Sequence, residues 1–140
     1  MAEQRLRGIL NIAESKEQDA AIVYSDALRE VEDNEGKLEE LLDFRTDYHQ
    51  QSLDCASASR LQSTRQFLSQ LNDVIDLQEQ QLEIKRGLME VEKDNWLGFR
   101  VHRKSLEKLS DKRNLAFEKQ QQKREEEELD ELVSQFKSPI

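Results

Sequence analysis

Few side chains here could do covalent or metal chemistry. The histidines are His49 and His102, and the one cysteine is Cys55. Metal ligation or nucleophilic catalysis needs such groups brought together, as three or four ligands or as a nucleophile beside a base. Three residues scattered at 49, 55 and 102 offer neither, and the lone cysteine has no disulfide partner within the chain. The 30 Asp and Glu residues come in runs such as Glu125 to Glu128, the pattern of a solvated helix face. No G-x-G-x-x-G or G-K-[ST] string cradles a phosphate. No catalytic residue, metal site or cofactor is expected. The residues with recognition potential are apolar instead. Leu41, Leu42, Phe44 and Tyr48 form one cluster, and Phe67, Leu71, Val74 and Ile75 form another. If the chain brings the two together, they exceed what a two-helix seam can cover. They then make a partly exposed strip, the kind of surface that marks a partner site. Local thickening of the helix pair, or self-association through the strip, would use the same residues.

The elements that position them follow from composition. The chain has 140 residues, with 36% charged and 36% hydrophobic side chains and only 6% aromatic. The single proline is Pro139, so the strongest helix breaker is missing from nearly the whole length. Sandwiches and barrels of this size need turn residues every 8–12 positions, and four glycines do not supply them. No apolar run is long enough to span a membrane, and the N-terminal residues lack a signal-peptide core. This reads as a reducing, cytoplasmic protein. A mean hydropathy of −0.89 is too low for a compact core. That leaves disorder or an elongated helical fold with a narrow seam.

Periodicity decides for the seam. Leu6, Ala13, Ala20, Ala27, Asn34, Leu41 and Tyr48 form one heptad series. Leu10, Glu17, Tyr24, Val31, Leu38, Arg45 and Ser52 form the other. Ten of these fourteen are apolar, in the 3–4 alternation of a coiled coil. A short polar segment from Asp54 to Ser59 then reads as a turn. Ser59-Arg60-Leu61-Gln62 reads as a capping box opening a second helix. Leu61, Leu68, Ile75, Leu82, Met89 and Trp96 recur every seven residues along it, with Leu71, Phe99 and Leu106 at the alternate position. Gln78, Lys85 and Glu92 interrupt the seam, while Phe67, Val74 and Leu88 are expected to widen it on one side.

The expected fold class is all-α: a single domain forming an antiparallel two-helix coiled coil, a long α-hairpin. Helix 1 spans about 3–53, the turn 54–58 and the longer helix 2 about 59–136. At 1.5 Å per residue the helices measure about 75 and 115 Å. A turn centred near residue 56 pairs residues whose numbers sum to about 112. Leu41 then faces Leu71, Tyr48 sits near Thr64, and Ala13 sits near Phe99. Residues beyond about 110 have no partner in the chain, and an isolated helix frays in water.

Charge is segregated along the sequence. Residues 1–58 carry 6 Lys/Arg against 14 Asp/Glu, residues 59–124 carry 14 against 10, and residues 125–140 carry 1 against 6. An acidic first helix beside a more basic second one favours pairing within the chain over self-pairing of helix 1. The basic stretch 93–124 is either the face that meets helix 1 or a docking surface for an acidic partner. Nucleic-acid binding is not expected of an acidic chain without a recognised motif.

Two segments carry a family resemblance. Leu38-x-x-Leu41-Leu42-Asp43-Phe44-Arg45-Thr46-Asp47-Tyr48 resembles the L-x-x-L-x-x-[YF]-x-x-x-Y stretch of the FliJ family. This family comprises the small coiled-coil proteins of the flagellar type III export apparatus. After the polar turn, Arg65-Gln66-Phe67-Leu68-Ser69-Gln70-Leu71 resembles its Q-F-[IL]-x-x-L start of helix 2. The resemblance covers nearly the whole chain in length, hairpin layout and charged tail. It implies an antiparallel coiled coil similar to the γ stalk of rotary ATPases. Such a stalk inserts into the hexameric flagellar export ATPase, promotes its assembly and activity, and touches the cytoplasmic domain of the export gate protein FlhA. The family is also linked to export chaperones. By position, gate contacts would fall on Leu41, Phe44, Tyr48, Phe67, Leu71 and Val74, while Lys37 and Gln78 match less well in residue type. ATPase contacts would fall on the first turns of helix 1 and on residues 90–124, including Arg100, Arg103 and Arg113. The implied protein is not an enzyme. It works in the cytoplasm at the inner face of the membrane and is monomeric when free. A virulence-injectisome stalk of the same shape, or a self-associating structural coiled coil, are the competing readings.

Overall fold

The computed structural model describes residues 2–53 and 57–136. Its two elements are α1 (Ala2–Ser52) and the longer α2 (Ala58–Phe136), of 51 and 79 residues. Among the described residues there is no strand and no positive-φ residue. The fold class is all-α, with α1 and α2 antiparallel. Two compact units divide the chain, residues 18–98 and residues 1–17 with 99–140.

The heptads of α1 are realised position by position. Residues 6, 10, 13, 17, 20, 24, 27, 31, 34, 38, 41, 45, 48 and 52 are all buried or half-buried. These are the fourteen positions of the two heptad series. The polar member Asn34 is buried because its side-chain amide donates to the Glu30 carbonyl at 2.7 Å, an intrahelical bond that satisfies it locally. On α2 the seam residues Leu68, Leu71, Ile75, Gln78, Leu82, Lys85, Met89, Glu92 and Trp96 are likewise buried or half-buried.

The start of α2 differs from the expected capping box. The Ser57 hydroxyl, not that of Ser59, accepts the N–H of Arg60 at 3.2 Å, and the Ser57 carbonyl accepts the N–H of Leu61. Ser57 is therefore the N-cap, and Ala58 and Ser59 already lie in the first turn. At the end of α1 the Ser52 hydroxyl donates to the His49 carbonyl at 2.7 Å, and the Leu53 N–H donates to the Gln50 carbonyl. The rest of the expected turn, including Cys55, lies outside the described residues.

The pairing register also differs. In unit 18–98, Tyr48 lies on Phe67, Arg45 bonds Asn72, Glu35 bonds Arg86 and Tyr24 stacks on Trp96. Their numbers add to 115, 117, 121 and 120 instead of about 112. Tyr48 thus meets Phe67, not Thr64, and Arg45 takes the level next to Leu71 that was expected of Leu41. The offset next to the turn comes from its asymmetry, and the sum rises further away from it. The α1 seam runs to Ser52, but residues 57–63 are all exposed and the α2 seam opens only at Thr64. Leu61, expected in the seam, is 39% exposed for the same reason.

In the unit formed by 1–17 and 99–140, Leu6 and Ala13 are the buried apolar residues. Glu17 bonds Arg103, which sets Ala13 one turn away, near the level of Glu107 instead of Phe99. Every described residue from 111 to 136 is exposed while remaining helical.

Candidate partner-binding surface

The strip read from the sequence forms in unit 18–98. Phe44 and Tyr48 stand four apart on α1, which puts them on one face. Their ring centroids are 6.2 Å apart. Phe67 of α2 meets Tyr48 at 4.6 Å and presents its edge to Phe44 at 6.2 Å. These separations fall in the range of favourable offset and edge-to-face ring pairs. The three rings form one cluster, and it is not closed over: Phe44 is 50% exposed and Phe67 38%. Val74, one heptad beyond Phe67, extends the same face and is exposed. Leu41 and Tyr48 are half-buried. Leu71 is only 8% exposed and lies in the seam, one turn along α2 from Phe67. The expected gate-contact residues therefore divide into a presenting set (Phe44, Phe67, Val74) and a more buried set (Leu41, Tyr48, Leu71).

Among the described residues, one buried side-chain polar atom is unsatisfied, and it lies in this seam. The Gln78 side-chain oxygen is buried without a hydrogen-bond partner. Elsewhere in this unit, Trp96 stacks on Tyr24 at 5.7 Å with planes 12° apart, which makes it a packing residue.

The three arginines singled out for an ATPase are placed differently from one another. Arg103 is held within its own unit. Its guanidinium donates to both Glu17 oxygens and, at 2.7 Å, to Glu107 one turn along α2. Hydrogen bonding to Glu17, then to Glu107, raises its pKa above the usual arginine value, so it is charged at every working pH. Arg100 is half-buried and engaged. Arg113 is exposed and borders a groove of about 440 Å³ with Glu3, Leu6, Arg7, Leu10 and Asn114. Arg113 presents its charge to solvent, whereas Arg103 spends its charge on the chain's own carboxylates.

Sequence reasoning missed a second apolar row on α2. Phe67 widens the seam on one side, as expected, by packing on Phe44 and Tyr48, whereas Val74 and Leu88 are about half exposed. Val74 is followed by Leu77, Ile84, Leu88 and Val91, all exposed. The signal was available as a second 3–4 spacing offset from the first, obscured because the seam accounts for the same segment.

Among the described residues no group of three or more His, Cys, Asp or Glu is placed to hold a metal ion. Among the described residues no helix is long and apolar enough to cross a membrane. The family profile described as flagellar FliJ protein matches residues 1–137. The chain belongs to the FliJ family. No curated protein and no solved structure compared with it matches. Membership makes the chain a coiled-coil protein of flagellar export, from a family of non-catalytic export components.

Proposed function

We propose that this FliJ-family chain is a stalk that joins the hexameric export ATPase to the cytoplasmic domain of the gate protein FlhA, with a further role in escorting export chaperones. It acts in the cytoplasm at the inner face of the membrane, without catalysis of its own. The observation that carries the gate half is the half-exposed Phe44–Tyr48–Phe67 cluster. It falls on the two segments that resemble the family's gate-contact region. Aromatic side chains that are large, exposed and rigidly seated are the residues that dominate protein interfaces. The ATPase half is supported by the basic, exposed stretch of α2 that includes Arg113.

Two experiments test the halves separately. Phe44→Ala with Phe67→Ala should abolish pull-down on the FlhA cytoplasmic domain while leaving helicity intact; unchanged capture removes the gate assignment. Addition of the wild-type chain should raise ATP hydrolysis by the cognate export ATPase. Absence of both stimulation and co-sedimentation removes the stalk assignment.

A further inference from the structure

The second apolar row of unit 18–98 has a character of its own. Val74, Leu77, Ile84, Leu88 and Val91 follow one another at 3, 7, 4 and 3 residues, the rhythm of a seam interrupted once, at Gln81. All five are 48–64% exposed, whereas the true seam residues Leu71, Ile75 and Leu82 of the same segment are 8% or less. The row lies about a third of a turn around α2 from that seam and extends over about 26 Å.

Carboxylates line both of its sides. On α2 the outer border is Asp73, Asp76, Glu83, Glu90 and Asp94, all exposed. On α1, Asp19, Asp26, Asp33, Glu40 and Asp47 recur every seven residues and are also exposed. Glu40 and Asp47 stand four before and three after Phe44, so this acidic row shares the side of α1 on which Phe44 meets Phe67; Lys37, seven before Phe44, is an exposed base on the same side. Between residues 66 and 94 the bases of α2 are Lys85, Arg86 and Lys93, none of them on the apolar row or its acidic border. The Arg86–Glu35 ion pair sits on the other flank of the seam.

An apolar row between two lines of carboxylates matches one kind of occupant. We propose that this face docks a basic amphipathic helix of a partner protein, its apolar stripe on Leu77, Ile84 and Leu88 and its lysines or arginines on the acidic borders. A second copy of this chain meeting the same face symmetrically would set carboxylates against carboxylates. The row adjoins the aromatic strip at Val74, but the proposal rests on Leu77, Ile84 and Leu88 and not on the rings.

The test uses the full chain and a fluorescent synthetic helix of about 18 residues with leucines at 3–4 spacing and lysines elsewhere. A matched peptide carries glutamate for lysine. The leucine–lysine peptide should bind, weaken as salt is raised, and exceed the leucine–glutamate peptide by at least about tenfold. Ile84→Ser with Leu88→Ser changes no charge and alters only exposed residues; it should weaken binding by about tenfold or more. Phe44→Ala with Phe67→Ala should leave peptide binding within about twofold, which separates this surface from the gate assignment. Equal affinity for both peptides overturns the proposal. So does undiminished binding to the Ile84/Leu88 variant, or a concentration-dependent dimer that this variant abolishes.

Discussion

The two units of the chain are built on different balances of the same forces. Unit 18–98 buries Val31, Leu71, Ile75 and Leu82, adds two groups of stacked aromatics, and carries 8 Lys/Arg against 18 Asp/Glu, a net −10. Among its described residues the unit of 1–17 and 99–140 buries Leu6 and Ala13 alone; it places the Arg103–Glu17 pair at seam level and carries 13 against 12, a net +1. The first is held by apolar burial and can spare exposed apolar surface for partners. The second has little apolar burial, so charge contributes a larger share of its cohesion. The comparison teaches where each kind of substitution should be felt.

The largest effect should fall on Ile75, which is 1% exposed. Ile75→Ala should lower unfolding free energy by about 2–5 kcal/mol, through lost burial and the cavity left behind. Leu6→Ala in the other unit, at 9% exposure, should cost clearly less. Urea unfolding followed by circular dichroism measures both, and an equal or greater loss at Leu6 would break the comparison. Gln78 probes the same unit in the opposite direction. Its buried side-chain oxygen has no partner, so Gln78→Leu should raise stability by about 1–2 kcal/mol. No gain would mean the glutamine is satisfied in solution and the apolar seam has no gap there. A smaller gain should come from Gly87→Ala. A Cβ built at Gly87 meets nothing within 4 Å, so the full helix-propensity difference of about 1 kcal/mol is available. A loss instead would show that the α2 face around Gly87 is covered in solution.

These contrasts also show what the sequence could convey. The heptad series Leu6 to Tyr48 and Leu10 to Ser52 named every half-buried seam position of α1, because a narrow two-helix seam allows one period and one face. Phe44, Tyr48 and Phe67 could be grouped for the same reason. The register could not be placed. It depends on how far α2 runs beyond its Ser57 cap before meeting α1, and several serines there could each have capped the helix. A cap two residues earlier and two unpaired turns at the start of α2 go with partners displaced by three to nine residues, about one to two and a half turns. Local patterns specify faces, whereas register is set by the turn. The roles of Arg100, Arg103 and Arg113 were equally hidden. Three arginines in one basic stretch look alike in sequence. Which of them meets a carboxylate depends on whether Glu17 or solvent stands opposite.

Two ion pairs sharpen the comparison at its finest scale. Arg86 and Glu35 of unit 18–98 are 2.9 Å apart with side chains 54% and 46% exposed. Water screens such a pair, and it contributes at most about 1 kcal/mol. Arg103 and Glu17 are 20% and 16% exposed, and Arg103 also bonds Glu107. Removing Glu17 leaves a fixed cation at a seam position with one carboxylate where it had two. Glu17→Gln should therefore lower the thermal midpoint measurably, while Glu35→Gln should leave it nearly unchanged. Raising salt should erase the small effect of Glu35→Gln first, since exposed pairs are screened more than sheltered ones. Equal shifts for the two variants at low salt, followed by equal loss in high salt, would show that Arg103 is as well solvated as Arg86. The unit of 1–17 and 99–140 would then owe its cohesion to Leu6 and Ala13, and the contrast between a charge-held and an apolar-held unit would fall.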